Sequence, residues 1–405
     1  MTAPFCAVVG AGPAGLMAAD ALSRAGALVA VYDHKPSSAR KLLMAGRGGL
    51  NITHSESLEK FLSRYGAAAA RLSPIIRAFP PQRLCDFCEE LGEPTFVGSS
   101  GRVFPKSFKA APLLRAWLAR LAAQGVRFEP RCALKGLCGE RELLVDRDGA
   151  TFKLSPAAVV LALGGATWPR LGSDGAWVEL LAAAGVDIAP LAPSNCGAHI
   201  AWSDFFRDQF EGRPIKTIAL RHGEHVARGD LVVTRAGLEG GPVYALSSRL
   251  RAAVEQGRGA TLLIDLRPDM GVEALEQRLQ RRNPKQSLAS ALRKTLRLTM
   301  LETALLRESQ PDGPPRENAA LAALVKALPL PVCGVADFAR AISTAGGVTF
   351  EQLDHSLMLK SRPGLFFAGE MLDFDAPTGG YLLQAAFSTG FAAGLGAVRF
   401  VGLAA

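Results

Sequence analysis

Short apolar runs punctuated by glycine organise the start of the chain. Phe5 to Val9 is continuously apolar and stops at Gly10. Leu16 to Arg24 has helical spacing and stops at Gly26, and Leu28 to Tyr32 is a second apolar run followed by Asp33. This pattern predicts strand, glycine turn, helix, strand and acid. Further along, Val126 to Leu154 alternates short β-rich pieces with Gly136, Gly139 and Asp148-Gly149, which predicts a small meander. Pro156 to Trp168 reads as a buried strand running into Gly164-Gly165. From Leu191 to Leu266 the pattern is short strands and turns. Val272 to Leu328 is helix-like, broken at Asn283-Pro284 and at Pro311 to Pro315. Val348 to Met358 reads as extended. Leu365 to Ala368 is a last buried strand ending at Gly369-Glu370, and a long helix of small residues runs from about Leu382 to Ala397. The chain shows no internal repeat and no low-complexity tail.

The first unit carries recognisable chemistry. In Gly10-Ala-Gly12-Pro13-Ala14-Gly15, the first glycine permits a tight turn, the second lets the backbone approach a pyrophosphate, and the third lets helix and strand pack closely. The helix start offers N–H groups and partial positive charge to phosphates. Asp33 follows Gly15 at the distance where a carboxylate accepts hydrogen bonds from a ribose. This unit does not by itself separate FAD from NAD. The segment around Gly369, Glu370, Gly379, Gly380 and Tyr381 is similar to that of two-dinucleotide-binding-domain flavoproteins. In those proteins such a carboxylate holds the ribityl chain of the flavin, and the following helix points its N-terminus at the isoalloxazine. The expected cofactor is therefore FAD. No second Gly-x-Gly-x-x-Gly follows a strand, so NAD(P)H is expected as a transient electron donor without a domain of its own.

Five further segments lie between these anchors: Lys41 to His54, with Gly46, Gly48, Gly49, Asn51 and Thr53; Val103 to Lys106; Thr234 to Pro242; Ser343 to Val348; and Gly369 to Tyr381. Together they resemble the YhiN/BaiN-like (aminoacetone-oxidase-family) NAD(P)/FAD-dependent flavoproteins, over nearly the whole chain and in order. The resemblance implies an α/β fold: a Rossmann-type FAD-binding domain split by an inserted, partly open β-barrel with a helical subdomain. The boundaries are 1–190 and 346–405 for the FAD domain and 191–345 for the insert, whose helical part is about 270–330. It also implies that Lys41, Gly48, Gly49, Asn51, Gly164 and Gly165 line the cofactor with the residues above. The chain departs from the family where Gly-Arg-Cys-Asn becomes Gly48-Gly49-Leu50-Asn51, where His54 replaces an Asn, and where Leu382 follows Gly379-Gly380-Tyr381. Chemistry that needs the loop cysteine as an acid is absent from this branch.

The expected activity is hydride transfer through flavin N5, from NAD(P)H to an electron-poor C=C bond. A uridine in ribosomal RNA is one substrate, since some relatives make dihydrouridine. A small-molecule reductase, an amine oxidase using O₂ and a non-catalytic FAD-binding redox sensor are the alternatives. The substrate is expected in the cleft between the FAD domain and the insert. Cys196, His199 and Tyr381 are the candidate catalytic residues.

Charge and cysteine content refine this picture in three places. The formal charge is +9, and residues 276–300 hold Arg278, Arg281, Arg282, Lys285, Arg293, Lys294 and Arg297 against a single acid, Glu276. That excess marks a candidate polyanion contact. The seven cysteines form no disulfide framework. Cys85-x-x-Cys88 lacks a second pair, and His222 and His225 flank a predicted turn, so no metal is expected. The apolar stretch from Phe5 to Val31 is interrupted by Pro13, Asp20 and Arg24 and makes a poor membrane span. With no basic segment ahead of it, the expected location is the cytoplasm, with no membrane partner.

Overall fold

The computed structural model describes residues 3–283 and 285–404, apart from the side chain of Arg47; Pro284, within the predicted helix break, lies outside the described residues. The chain divides into two compact units, residues 1–193 with 342–405, and residues 194–341.

The first unit is built on a five-stranded parallel sheet. Its strands lie in the order Leu365–Phe367, Ala158–Leu161, Phe5–Val9, Leu28–Asp33 and Arg127–Pro130. Such a sheet is covered on both faces, which is why its central strands are apolar without alternation. Successive residues of each strand serve two cores. Cys6, Val8, Val29, Val31, Ala158, Val160 and Phe366 face a cluster that includes Leu16, Trp117 and Phe387. Ala7, Val9, Ala30, Tyr32, Val159, Leu161 and Phe367 face a second one with Leu143, Val145 and Tyr381.

The meander forms at Cys132–Cys138, Glu142–Arg147 and Ala150–Leu154. Asp148 and Gly149, at φ 51° and 89°, make the tight turn between its last two strands. Two sequence expectations change here. Arg127–Pro130 joins the parallel sheet, and Gly136 sits inside a strand at a register shift.

The helix Pro13–Arg24 packs against the long helix Tyr381–Phe400. Gly390 makes this crossing close: a Cβ there would stand 2.2 Å from the Ala14 carbonyl oxygen, and one at Gly394 would stand 2.9 Å from that of Ala18. Tyr381–Phe400 has the length and apolar character to cross a membrane, but most of it is buried inside this unit. The expected extended run Val348–Met358 is shorter: the strand Ser343–Val348 ends where a 3₁₀ turn begins at Phe350.

The second unit holds a seven-stranded sheet in an open order and a group of four helices, Val272–Gln280, Leu288–Thr295, Met300–Glu308 and Asn318–Lys326. Its core is separate, built from residues such as Leu220, Leu262, Leu292 and Val325. The stretch expected to hold short strands and turns contains the nine- and ten-residue strands Pro214–His222 and His225–Thr234. It also contains two helices, Asp204–Phe210 and Gly241–Glu255.

Candidate functional site

The glycine turn shows three different environments at its three glycines. Gly10 has φ +104°, and a Cβ on it would lie 2.1 Å from the Ala162 carbonyl oxygen. A Cβ on Gly15 would lie 1.9 Å from the Gly10 carbonyl oxygen. Both positions are closed by packing of the turn on its own sheet. A Cβ on Gly12 would meet nothing within 4 Å, although its backbone, at φ −81° and ψ 179°, suits any residue. Glycine there leaves room for something outside the fold. The first helical bond runs from Leu16 N–H to the Gly12 carbonyl at 2.9 Å. The N–H groups of Gly12, Ala14 and Gly15 lie ahead of it, and Pro13 at the first helical position has none to offer. The arrangement fits a pyrophosphate.

Asp33, at the end of the second strand, is fixed by its own backbone surroundings. One carboxylate oxygen accepts from Ala11 N–H at 2.8 Å and the other from Lys35 N–H at 2.7 Å. The acid thus braces the glycine turn, and each oxygen keeps a lone pair for a ribose hydroxyl.

Lys41, Thr167, Thr344 and Glu370 meet from four separate segments of this unit. Lys41 Nζ donates to Glu370 Oε2 at 2.6 Å and to Thr167 Oγ1 at 2.5 Å. Glu370 Oε1 accepts from Thr344 N–H at 3.1 Å, and Thr344 Oγ1 accepts from Ala166 N–H at 2.8 Å. Gly165 sits directly under Thr344, 2.2 Å from its hydroxyl if given a Cβ, so it is a packing glycine. Gly164, at φ +72°, supplies the bend beside it. A Cβ on Gly369, at φ +81°, would lie 2.8 Å from that of Ala14. Thr344 lies within the Ser343 to Val348 segment of the resemblance, but neither it nor Thr167 was singled out from the sequence.

The loop after Lys41 runs beside the start of the last helix. Gly48 faces open space, while Gly49 at φ +110° lies against Phe108. Asn51 donates through its amide to the carbonyls of Thr53 and Val103, at 2.8 and 3.0 Å. Leu50, where the resemblance leads one to look for a cysteine, is fully buried. Gly380, at φ +96°, has a different purpose from the expected one. Its missing Cβ makes room for the Thr53 backbone, 2.5 to 2.7 Å away, rather than for a ring. A Cβ on Gly379 would likewise meet the Tyr381 ring at 3.0 Å. Two buried hydroxyls of this unit, Thr53 Oγ1 and Ser173 Oγ, have no hydrogen-bond partner among the described residues. Unsatisfied buried hydroxyls fit a polar ligand that supplies the missing bonds.

Tyr381 is held in place by four residues. Its hydroxyl donates to Glu56 Oε1 at 2.5 Å, its carbonyl accepts from Tyr65 Oη at 2.8 Å, and its ring stacks on that of His54 with centroids 5.6 Å apart. Arg64 clamps Glu56 with two hydrogen bonds, at 3.0 and 2.8 Å. His54 accepts from Glu56 N–H through Nδ1 and faces the Ser100 carbonyl through Nε2, which assigns the proton to Nε2. The Arg64 hydrogen bond pulls the Glu56 carboxyl down to about 2, against the opposing effect of burial. Burial and the neighbouring Glu56 carboxylate push the Tyr381 phenol well up. The tyrosine therefore stays protonated, with its proton committed to Glu56. Sequence reasoning missed Glu56 and Arg64 as well.

The other two candidates lie in the second unit. Cys196 has no exposed surface, so its thiol as placed does not reach a substrate. His199 is partly exposed and lines a cavity of about 260 Å³ with Glu211, Arg235, Glu239 and Arg340. Its ring nitrogens have no hydrogen-bond partner among the described residues. His222 and His225 pair across a hairpin whose turn holds Gly223, and His222 Nδ1 lies 3.0 Å from the Thr261 carbonyl. Among the described residues no group of three or more His, Cys, Asp or Glu side chains is placed to hold a metal.

Two characterised relatives span nearly the whole chain. A 3-dehydro-bile acid delta(4,6)-reductase of Clostridium scindens is 26% identical, over 97% of this chain and 98% of that protein. A ribosomal RNA dihydrouridine synthase of Escherichia coli is 24% identical, over 95% and 96%. Among solved structures, the 3-ketosteroid-delta4-(5alpha)-dehydrogenase from Rhodococcus jostii RHA1 matches with a TM-score of 0.53 and 17% identity, covering 97% of this chain and 96% of that one. A flavocytochrome c3 fumarate reductase matches with a TM-score of 0.54 and 16% identity, covering 99% and 79%. At such identities these structures speak for the fold alone. The family model described as the HI0933-like protein Rossmann domain matches residues 5–396, and the chain belongs to that family of FAD-binding, flavin-dependent oxidoreductases.

Proposed function

We propose that this protein reduces a C=C bond conjugated to a carbonyl, using FAD as the carrier and NAD(P)H as the electron donor. The observation that carries the cofactor half is the open face of Gly12 between two packed glycines, at a helix start. Support for the reaction comes from the two relatives. A delta(4,6)-reductase acting on a 3-dehydro substrate and a synthase of dihydrouridine both saturate a double bond in conjugation with a carbonyl.

In this reading Gly12, Ala14 and Gly15 present N–H groups to the pyrophosphate, and Asp33 accepts from the adenosine ribose. Lys41 holds Glu370 in place, and Glu370 takes a ribityl hydroxyl. FAD held by these residues would supply hydride transfer through its flavin ring, from NAD(P)H to the β-carbon of the substrate. A proton must then reach the α-carbon. Leu50 has none to give, Cys196 is enclosed, and the Tyr381 proton is held by Glu56. In this reading that proton comes from solvent water.

The test is anaerobic reduction of the flavin by NADH or NADPH, followed by reoxidation with a 3-keto-Δ4 steroid, with uridine-containing RNA or with O₂. Reoxidation accelerated by either unsaturated substrate supports the proposal. Rapid reoxidation by O₂ with neither substrate effective identifies an oxidase, and failure of both nicotinamides to reduce the flavin favours a sensor.

A further inference from the structure

We propose that the helical part of the second unit is a docking surface for the phosphates of a structured RNA. The inference rests on the reductase reading for the identity of the nucleic acid, because a uracil ring carries the conjugated C=C that the reaction needs.

Arg278, Arg281, Lys285, Arg293, Lys294 and Arg297 are all exposed. They occupy the end of Val272–Gln280, the turn after it, and the end of Leu288–Thr295 with the residues just beyond. Helix C-termini attract cations, which accounts for Arg278, Arg293 and Lys294. Arg281, which caps Val272–Gln280, falls under the same account, but Lys285 and Arg297 lie beyond the helix ends.

Elsewhere on the surface some exposed arginines are neutralised, while others, such as Arg115, Arg127 and Arg213, stand singly with no ion pair among the described residues. Arg77 pairs with Glu59, Arg83 with Glu90, Arg228 with Asp269, and Arg235 with Asp208 and Glu211. Among the described residues none of the six cations has a carboxylate partner. The nearby Glu302 is buried and already bound by Arg267. Arg282, the seventh, donates to the Arg316 carbonyl, a bond that leaves its charge uncancelled.

An eight-residue helix spans about 12 Å. Lys285 precedes Leu288–Thr295 and Arg293, Lys294 and Arg297 lie at its far end, so the cations are spread over more than one phosphate spacing. Four of the six are arginines, whose planar fork suits phosphate oxygens. A membrane surface fits less well. Leu275, Leu279, Leu292 and Leu296 are buried, and Met300 is the single exposed large apolar side chain among the described residues of 276–300, so the patch offers little apolar surface for lipid.

The experiment uses the full-length, FAD-loaded protein and a fluorescent stem-loop RNA with unpaired uridines, with anisotropy read across about 50 to 300 mM salt. Affinity should fall steeply, with a log–log slope on the order of −3 to −5, because each phosphate contact contributes about −0.7 to −0.9. The triple variant Arg278→Glu, Arg281→Glu, Lys285→Glu should bind at least ~100-fold more weakly and keep its FAD content and nicotinamide-driven dye reduction. The corresponding triple glutamine variant repeats the test if charge reversal disturbs folding. Salt-insensitive binding, unchanged affinity in both variants, or tighter binding to phosphatidylserine vesicles than to RNA would overturn the proposal. The two readings separate cleanly. RNA that binds through the patch but is never reduced removes RNA as the substrate of the reductase and leaves the surface. RNA that is bound and reduced equally well by the variants removes the surface and leaves the reductase.

Discussion

Replacing Gly12 with valine should separate cofactor binding from folding. The backbone there is at φ −81° and ψ 179°, extended geometry that a β-branched residue adopts easily, and the Cβ enters open space. The apoprotein should therefore be as stable as the parent, or gain up to about 0.4–1 kcal/mol from a less flexible unfolded chain. The side chain would, however, occupy the approach to the N–H groups at the helix start. Charge-assisted hydrogen bonds contribute about 1.5–3 kcal/mol each. Losing two of them costs roughly 3–6 kcal/mol, or about 10²- to 10⁴-fold in Kd. Gly10→Ala is the contrasting case. Its methyl group would stand 2.1 Å from the Ala162 carbonyl oxygen at a φ of +104°. Strain and overpacking of about 1–3 kcal/mol each should lower the melting temperature of the apoprotein itself. Calorimetric titration of stripped protein with FAD, paired with thermal melts of the same samples, reads both quantities. A Gly12→Val variant that binds FAD normally, or whose apoprotein melts several degrees early, would refute the assignment of this space to a ligand.

Asp33→Ala should weaken FAD binding by about 1.5–3 kcal/mol and also cost apoprotein stability, because it leaves Ala11 N–H and Lys35 N–H without their acceptor; titration and melting of the variant measure the two effects. Lys41→Met and Glu370→Gln should be non-additive in stability, with a coupling of roughly 0.5–3 kcal/mol in a double-mutant cycle, and additivity would show that their 2.6 Å contact contributes little. Glu56 should make its contribution visible in acid. Its carboxyl lies at about 2 in the folded state against an ordinary value of 4.5, so its stabilisation is present above 4.5 and drains away as pH falls towards 2. Denaturant melts of Glu56→Gln should be weaker than the parent at neutral pH and flatter across that acid window; a parallel pair of curves would place the acid sensitivity elsewhere.

What could be read from sequence was local. The strand, glycine turn, helix and acid from Phe5 to Asp33 fall within a stretch where period and turn chemistry decide the outcome together. The clusters that complete the unit were not legible, because their members are far apart in the chain. Lys41 and Glu370 are 329 positions apart, and Glu56 and Tyr381 are 325. A lone Glu or Thr carries no signal of a partner at that range. The neighbour of Gly380, the Thr53 backbone, was not legible either, since a glycine shows that space is needed without showing what fills it. The helix Gly241–Glu255 was missed for a local reason. It opens on Gly240, at φ +127°, followed by Gly241 and Pro242, and that composition reads as a turn although Pro is well placed in the first turn of a helix.

The crossing of Pro13–Arg24 with Tyr381–Phe400 has a consequence for biosynthesis. A ribosome that has reached residue 341 has already made the glycine turn, Asp33 and Lys41. It has made neither the strand Leu365–Phe367, nor Glu370, nor the helix carrying Gly390 and Gly394. Until those residues emerge, one side of the nascent sheet lacks its outer strand, and the apolar face of the first helix stays uncovered. The intervening segment 194–341 has its own core and can condense during that interval. The nascent chain is thus a natural client for chaperones, and cofactor loading becomes a late event that waits for residues 365–394. Ribosome-stalled chains ending near residue 341 should be sensitive to protease in the first 190 residues and resistant within the insert.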